Sequence, residues 1–263
     1  MRLAPLVLVL SVVGILYGAL LAVGQKDMSR FVAYTSIAHF GFIALGIFAF
    51  STQAFAGSVL YMVNHGLSTG MLFVMVGLLA SRGGSRMIND YGGVAKLAPV
   101  LAGCFLLAGL SSLALPGTNS FVSEFLVLVG SFPREPVYTI IATVGIVFAA
   151  LYVLWVYQQT MQGPVRGRAV LDALDRGSDR SGHDAPDQAG GPGAMIDPAI
   201  AARRAGSGFP DLSPREITVL VPLILAILLL GFFPGPVLDV VNPSVAATMT
   251  EVGLTDPVGG LPR

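Results

Sequence analysis

Hydrophobic positions in this chain fall into long, nearly unbroken runs, not into the short alternations of a soluble sheet or a one-faced helix. Six runs stand out, at 3–24, 31–50, 57–80, 98–132, 137–161 and 214–233. Each exceeds the ~18 apolar residues that mark a spanning helix, so the pattern predicts an all-α, polytopic membrane protein with about six transmembrane helices. The fourth run differs from the others: Pro116-Gly117 interrupts it, and a carboxylate, Glu124, follows. As one straight helix at ~1.5 Å per residue it would reach roughly 50 Å, against a hydrocarbon core of ~30 Å. The piece beyond Asn119 has only about 13 residues, too few for the ~20 of a second crossing. One crossing by a Pro-broken helix is therefore expected. Its freed backbone groups need shielding by protein or trapped water, and unwound backbone beside a buried acid is how transporters build ion sites.

The last run opens on Ser213-Pro214-Arg215-Glu216, a capping box with proline at the first helical position, and closes on Phe232-Phe233-Pro234-Gly235-Pro236. Between runs five and six, residues 162–212 are rich in Gly, Pro, Asp and Arg with little apolar periodicity. This predicts a flexible insertion in which His183 is a solvated loop residue. The expected organisation is a five-helix transmembrane bundle at 1–161, the insertion at 162–212, a final transmembrane helix at 213–240 and an outer tail at 241–263.

Composition agrees with a membrane protein: 54% of residues are hydrophobic and mean hydropathy is +0.77 despite the polar segment. Net charge is zero and pI about 6.8, so nothing points to nucleic acid. The one cysteine, Cys104, excludes a disulfide framework or a Cys-rich metal site. The first apolar run, about 20 residues, is longer than a ~7–15-residue signal-peptide core and is expected to stay as a helix. Charge then fixes sidedness. Lys26, Arg30, Arg82, Arg86, Lys96, Arg166, Arg168, Arg176, Arg180, Arg203, Arg204 and Arg215 fall on one side, and Arg2, Arg134 and Arg263 on the other. The positive-inside rule predicts that the first group, with 162–212, faces the cytoplasm and that both termini face outside. Counting 98–132 as two crossings would destroy this bias.

Three ionisable residues lie deep in the runs. His39 and His65 are each the ninth residue of a run, about 12 Å in at 1.5 Å per residue, near the midplane of a ~30 Å core. Glu124 lies at comparable depth beyond the break. Such residues cost several kcal/mol in a membrane and by default mark ion or proton paths. Histidine titrates near neutrality, so such a row can pass protons through trapped water. The alternative is structural: neutral histidines satisfied by carbonyls, and Glu124 a protonated acid, since no basic residue in any run could pair with it. A metal site is not expected, with three candidate ligands on three helices and no paired spacing. Neither a nucleophile–base pair nor a phosphate-binding glycine loop is present. Tyr152, Trp155 and Tyr157 read as an interfacial belt, and Gly14/Gly18 and Gly66/Gly70 as close-contact pairs.

Four stretches carry a family resemblance: QKDMSRFVAYTSIAHFGFIALGIFAF, VLYMVNHGLSTGMLFVMVGLLASR, DYGGVAKLAPVLA and LALPGTNSFVSEFLVLVGSF. The chain resembles the proton-pumping, antiporter-like membrane subunits of respiratory complex I, NADH:quinone oxidoreductase. Glutamate rather than lysine at 124 points to the M-type (chain 4) branch. The resemblance covers nearly all of 1–240 except 162–212. It implies a proton-translocating role coupled to quinone reduction through His39, His65 and Glu124. It also implies no redox centre or cofactor on this chain, with NADH, FMN, iron–sulfur clusters and quinone held by partner subunits. Sister antiporter-like subunits and the other membrane-arm subunits are the implied partners, and a bacterial plasma membrane the implied location. Such subunits have fourteen spans with two inverted five-helix repeats. This chain looks like the second repeat plus the last helix, the C-terminal half only, and Ser29 stands where relatives usually carry lysine. Two other readings stay open: a cation/proton antiporter or membrane-bound hydrogenase subunit, and a non-pumping truncated fragment.

Overall fold

The computed structural model describes residues 3–181, 208–253 and 256. Their elements are α-helices and two short 3-10 turns, with no strand among the described residues. In chain order these are α1 (Ala4–Val23), α2 (Met28–Phe48), α3 (Thr52–Gly83), α4 (Pro99–Ser112), α5 (Asn119–Ser131), α6 (Pro136–Met161), α7 (Arg168–Ser181), α8 (Pro214–Phe232) and α9 (Gly235–Glu251). Five of these, α1, α2, α3, α6 and α8, are long and apolar enough to cross a membrane. The sixth expected crossing is the α4–α5 pair, broken as the sequence predicts. α4 and α5 barely touch each other, unlike the packed antiparallel pair α1–α2, so they are not a hairpin.

α3 is the hub and packs against α2, α4, α5, α7, α8 and α9. Its 32 residues would extend about 48 Å at 1.5 Å each, beyond the hydrocarbon core on its own. Ser51 fixes its start twice, accepting from Ala54 N (3.1 Å) and donating to Gly130 O at the end of α5 (2.7 Å). Asp256 accepts from Thr52 N at 2.7 Å, capping the same helix end. Between α1 and α2 the backbones approach closely: a Cβ on Gly18 would lie 2.8 Å from Ala38 N. Gly14 makes only ordinary contact with α2, and Gly66 and Gly70 face open space within this chain, so the second glycine pair is not a contact seam here.

At one end of the bundle the loops join. Asp27 pairs with Met87, Met28 N donates to Arg86 O and Ile88 N to Lys26 O. Gly93 N donates to Gln162 O and Arg166 N to Gly92 O. Tyr91 donates to Ser85 O at 2.6 Å, and burial pushes its phenol up to about 12. Arg82 then ties α3 to the entry of α8. Its guanidinium donates to Pro210 O, Asp211 O and Glu216 Oε2, the last at 2.8 Å. Asp211 in turn accepts from Val100 N and Leu101 N, satisfying the first turn of α4. The capping box at Ser213 and Glu216 forms as predicted.

Within 162–212 lies α7, which buries Ala169, Val170, Ala173 and Leu174 against the main core. That portion is packed on the bundle; residues 182–207, with His183, Arg203 and Arg204, lie outside the described residues. α9 runs through position 240 and buries Val245 and Met249 against Ala56 of α3. Tyr152, expected at an interface, is instead buried and meets Phe31 edge-on at 5.6 Å.

Candidate functional site: a buried polar core at the helix break

The break occupies residues 113–118, around the Pro116-Gly117 pair that the sequence marks. The reason is local. A proline ring at 116 clashes with the carbonyl four residues back, at Ser112, and forces Leu115 out of the helical region. α4 therefore stops at Ser112, and the chain turns through Ala114 (φ 61°) and Gly117 (φ 94°). A positive φ at alanine is strained, and α8 holds the turn in place. A Cβ on Gly231 would lie 2.5 Å from Gly117 O, and the Phe232 ring covers Gly117.

Around this break four elements present polar side chains to one another in an apolar bundle. α3 supplies Tyr61, Asn64, His65 and Ser68, whose i, i+3, i+4, i+7 spacing puts them on one helical face. α2 supplies His39, α4 Ser111 and Ser112, and α5 Asn119, Ser120, Ser123 and Glu124. All are buried. No Lys or Arg occurs between 31 and 81 or between 97 and 133, so no cation comes from these helices' interiors.

One chain of contacts crosses the core from α5 to α4. Tyr61 OH donates to Glu124 Oε2 at 2.9 Å. His39 Nδ1 lies 2.8 Å from the same phenol oxygen, and His39 Nε2 lies 3.1 Å from Ser112 Oγ. Because the phenol has one proton and directs it at Glu124, His39 donates through Nδ1–H and accepts Ser112 O–H at Nε2, a tautomer assigned from its partners. His65 stands beside this chain. Its ring centre is 5.2 Å from that of His39 and 5.1 Å from that of Phe40, and its Nδ1 lies 3.1 Å from Thr69 Oγ1.

A second network splints the broken ends. Asn119 Oδ1 accepts from Ser111 (2.6 Å) and Ser68 (3.2 Å), while Asn119 Nδ2 donates to Asn64 O (3.0 Å). Asn64 Nδ2 returns bonds to Asn119 O (2.8 Å) and Ser123 Oγ (3.1 Å). In a membrane such groups must be satisfied within the protein, and here α3 does it for both halves of the broken helix. Outside the break a cavity of about 340 Å³ reaches Glu124, lined also by Leu115, Pro116, Phe121, Phe125 and Ile146.

The three residues singled out from sequence therefore converge, but through groups the sequence reading missed. Tyr61 and Ser112 provide the bonds to Glu124 and His39, and Asn119 splints the break beside them. Tyr61 carried a usable signal: it lies one helical turn before His65, on the same face. Among the described residues no group of three His, Cys, Asp or Glu side chains could hold a metal ion.

Comparison with known proteins gives the relationship. Residues 1–149 match the family described as NADH:quinone oxidoreductase/Mrp antiporter, transmembrane. Over 253 residues the chain is 44% identical to NADH-quinone oxidoreductase subunit M of Mycobacterium tuberculosis, covering 96% of this chain and 39% of that protein. Its fold matches a chain of respiratory complex I from Thermus thermophilus with a TM-score of 0.75 at 27% identity, covering 95% of this chain and 45% of the other. A chain of the Mrp complex from Dietzia shares the fold at a TM-score of 0.71 and 20% identity, with 95% and 48% covered. The chain thus spans less than half the length of the relatives it matches. It is a multi-pass membrane protein and belongs to the NADH:quinone oxidoreductase/Mrp antiporter transmembrane family.

Proposed function

We propose that this chain forms the proton-conducting part of a membrane-arm subunit of NADH:quinone oxidoreductase, the M-type subunit, and that His39, His65 and Glu124 carry the proton. The observation that supports it is the continuous contact Glu124–Tyr61–His39–Ser112 beside a helix break, buried among apolar helices. Ionisable groups bonded in series at membrane depth are costly to bury, and proton passage is their usual use. The Mycobacterium tuberculosis relative named above is a subunit M of NADH-quinone oxidoreductase, which favours the quinone-reducing assembly over an antiporter or hydrogenase complex. In this reading NADH, FMN, iron–sulfur clusters and quinone belong to partner subunits, and the apolar outer surfaces of α1, α6 and α8 meet lipid or neighbouring membrane-arm subunits. The end bearing Lys26, Arg30, Arg82, Arg86 and Lys96 faces the cytoplasm of a bacterial plasma membrane.

The test is Glu124→Gln in the full-length subunit of the assembled complex. Glutamine keeps the shape and can still accept from Tyr61, but it cannot take up a proton. The expected result is normal assembly on a native gel, with most proton pumping and coupled quinone reduction lost in membrane vesicles. An assembled variant that acidifies vesicles like the wild type makes Glu124 a structural acid.

A further inference from the structure

We infer that Tyr61 is itself a proton-relay residue: its phenol is the hydrogen-bonded bridge across which a proton passes between His39 and Glu124. The inference rests on the proton-translocation reading above and adds a residue that the ionisable trio does not include. The geometry behind it is threefold. The phenol oxygen is within 2.9 Å of both groups, at 2.8 Å from His39 Nδ1 and 2.9 Å from Glu124 Oε2. Tyr61 is fully buried on α3, so bulk water does not reach this oxygen along its own helix face. The two groups come from α2 and α5, and no direct hydrogen bond joins them; the phenol lies between.

The step balances without any other reactant. With His39 protonated on both nitrogens and Glu124 ionised, Nδ1–H points at the phenol oxygen and the phenol O–H at Oε2. The Nδ1 proton moves to the phenol oxygen while the phenol proton moves to Oε2. His39 loses one proton, Glu124 gains one, and Tyr61 gives one, takes one and stays neutral. The bond directions are then reversed, with Glu124 donating to Tyr61 and Tyr61 to His39, so the same three groups can conduct the return. Ser112 holds Nε2 of His39 at 3.1 Å and keeps the ring facing the phenol.

The experiment is Tyr61→Phe in the full-length subunit of the assembled complex, with Glu124→Gln alongside. Phenylalanine keeps the ring and removes only the bridging oxygen. A positioned proton-transfer group contributes ~10²–10⁴-fold, and trapped water can replace part of it, so a loss of about tenfold in pumping and coupled quinone reduction is expected, with assembly intact. Replacing Tyr61 by 3-fluorotyrosine keeps the hydroxyl and its bonds but makes the phenol more acidic. A relay predicts a displaced pH profile of pumping for that variant, which a merely positioning hydroxyl would not give. Wild-type pumping by Tyr61→Phe overturns the inference. So does an unmoved profile with fluorotyrosine, which also decides the matter if Tyr61→Phe fails to assemble. If Glu124→Gln fails to pump while Tyr61→Phe pumps normally, only the Tyr61 inference falls. If both pump like the wild type, the site reading itself falls.

Discussion

His39 and His65 look equivalent in the sequence, each near the middle of its run, yet they differ in what they touch. His39 is bonded on both ring nitrogens, to Tyr61 and Ser112, whereas His65 bonds Thr69 of its own helix. Truncating His39 removes the partner of two buried hydroxyls, and each orphaned polar group costs about 1–3 kcal/mol. His39→Ala is therefore expected to lose most pumping and some thermal stability, while His65→Ala keeps more of both. Vesicle acidification and thermal unfolding of the purified complex compare them; equal losses would remove the distinction. The trio was legible because ionisable residues in apolar runs are conspicuous. Tyr61 and Ser112 were not, since a tyrosine or serine in such a run is ordinary, and their importance arises only where α2, α3 and the broken helix converge.

Among the elements, the broken crossing was legible from length, proline and charge balance. Its start follows from the carbonyl that the Pro116 ring excludes, that of Ser112, where α4 ends. α7 was hidden because its few apolar positions, Ala169, Val170, Ala173 and Leu174, are diluted in a polar stretch, and α3 supplies the surface that buries them. α8 makes a different point. It is largely exposed along its length, so its placement rests on its two ends: Arg82–Glu216 at one and Gly231 against Gly117 at the other. The Arg82 side chain is only 7% exposed, and Glu216 24%. Replacing Arg82 by Met would remove the cation paired with Glu216 and the guanidinium donor of Pro210 O and Asp211 O, at a cost of about 1–3 kcal/mol given the partial exposure. A lowered unfolding temperature and faster proteolysis near 208–213 are expected. An unchanged melting curve would mean that lipid or other subunits, not the arginine, hold α8.

For the molecule as a whole, the joined loops place residues 24–27, 84–98, 162–167 and 208–213 at one end, and Ser51, Gly130 and Asp256 at the other. This is the division that the basic residues imply. Single cysteines at Asp172 and at Val252, both exposed, are expected to react with impermeant reagents from opposite sides of the membrane, Asp172 from the cytoplasm. Labelling of both from one side would mean that α8 does not cross, and labelling of Asp172 from the outside would overturn the expected sidedness and with it the single broken crossing. The same arrangement fixes the direction of the bonded chain. His39 is eleven residues from the start of α2 at the basic end, about 16 Å at 1.5 Å per residue. Tyr61 is nine residues from the start of α3 at the opposite end, about 14 Å, and a ~30 Å core puts the two at nearly one depth. The links therefore run parallel to the membrane plane. Moving one charge through the whole potential is worth about 2.3 kcal/mol per 100 mV, but a sideways hop crosses almost none of that drop. On the proposed relay, voltage would act on protons entering and leaving, and the transfer between His39 and Glu124 would be electrically silent.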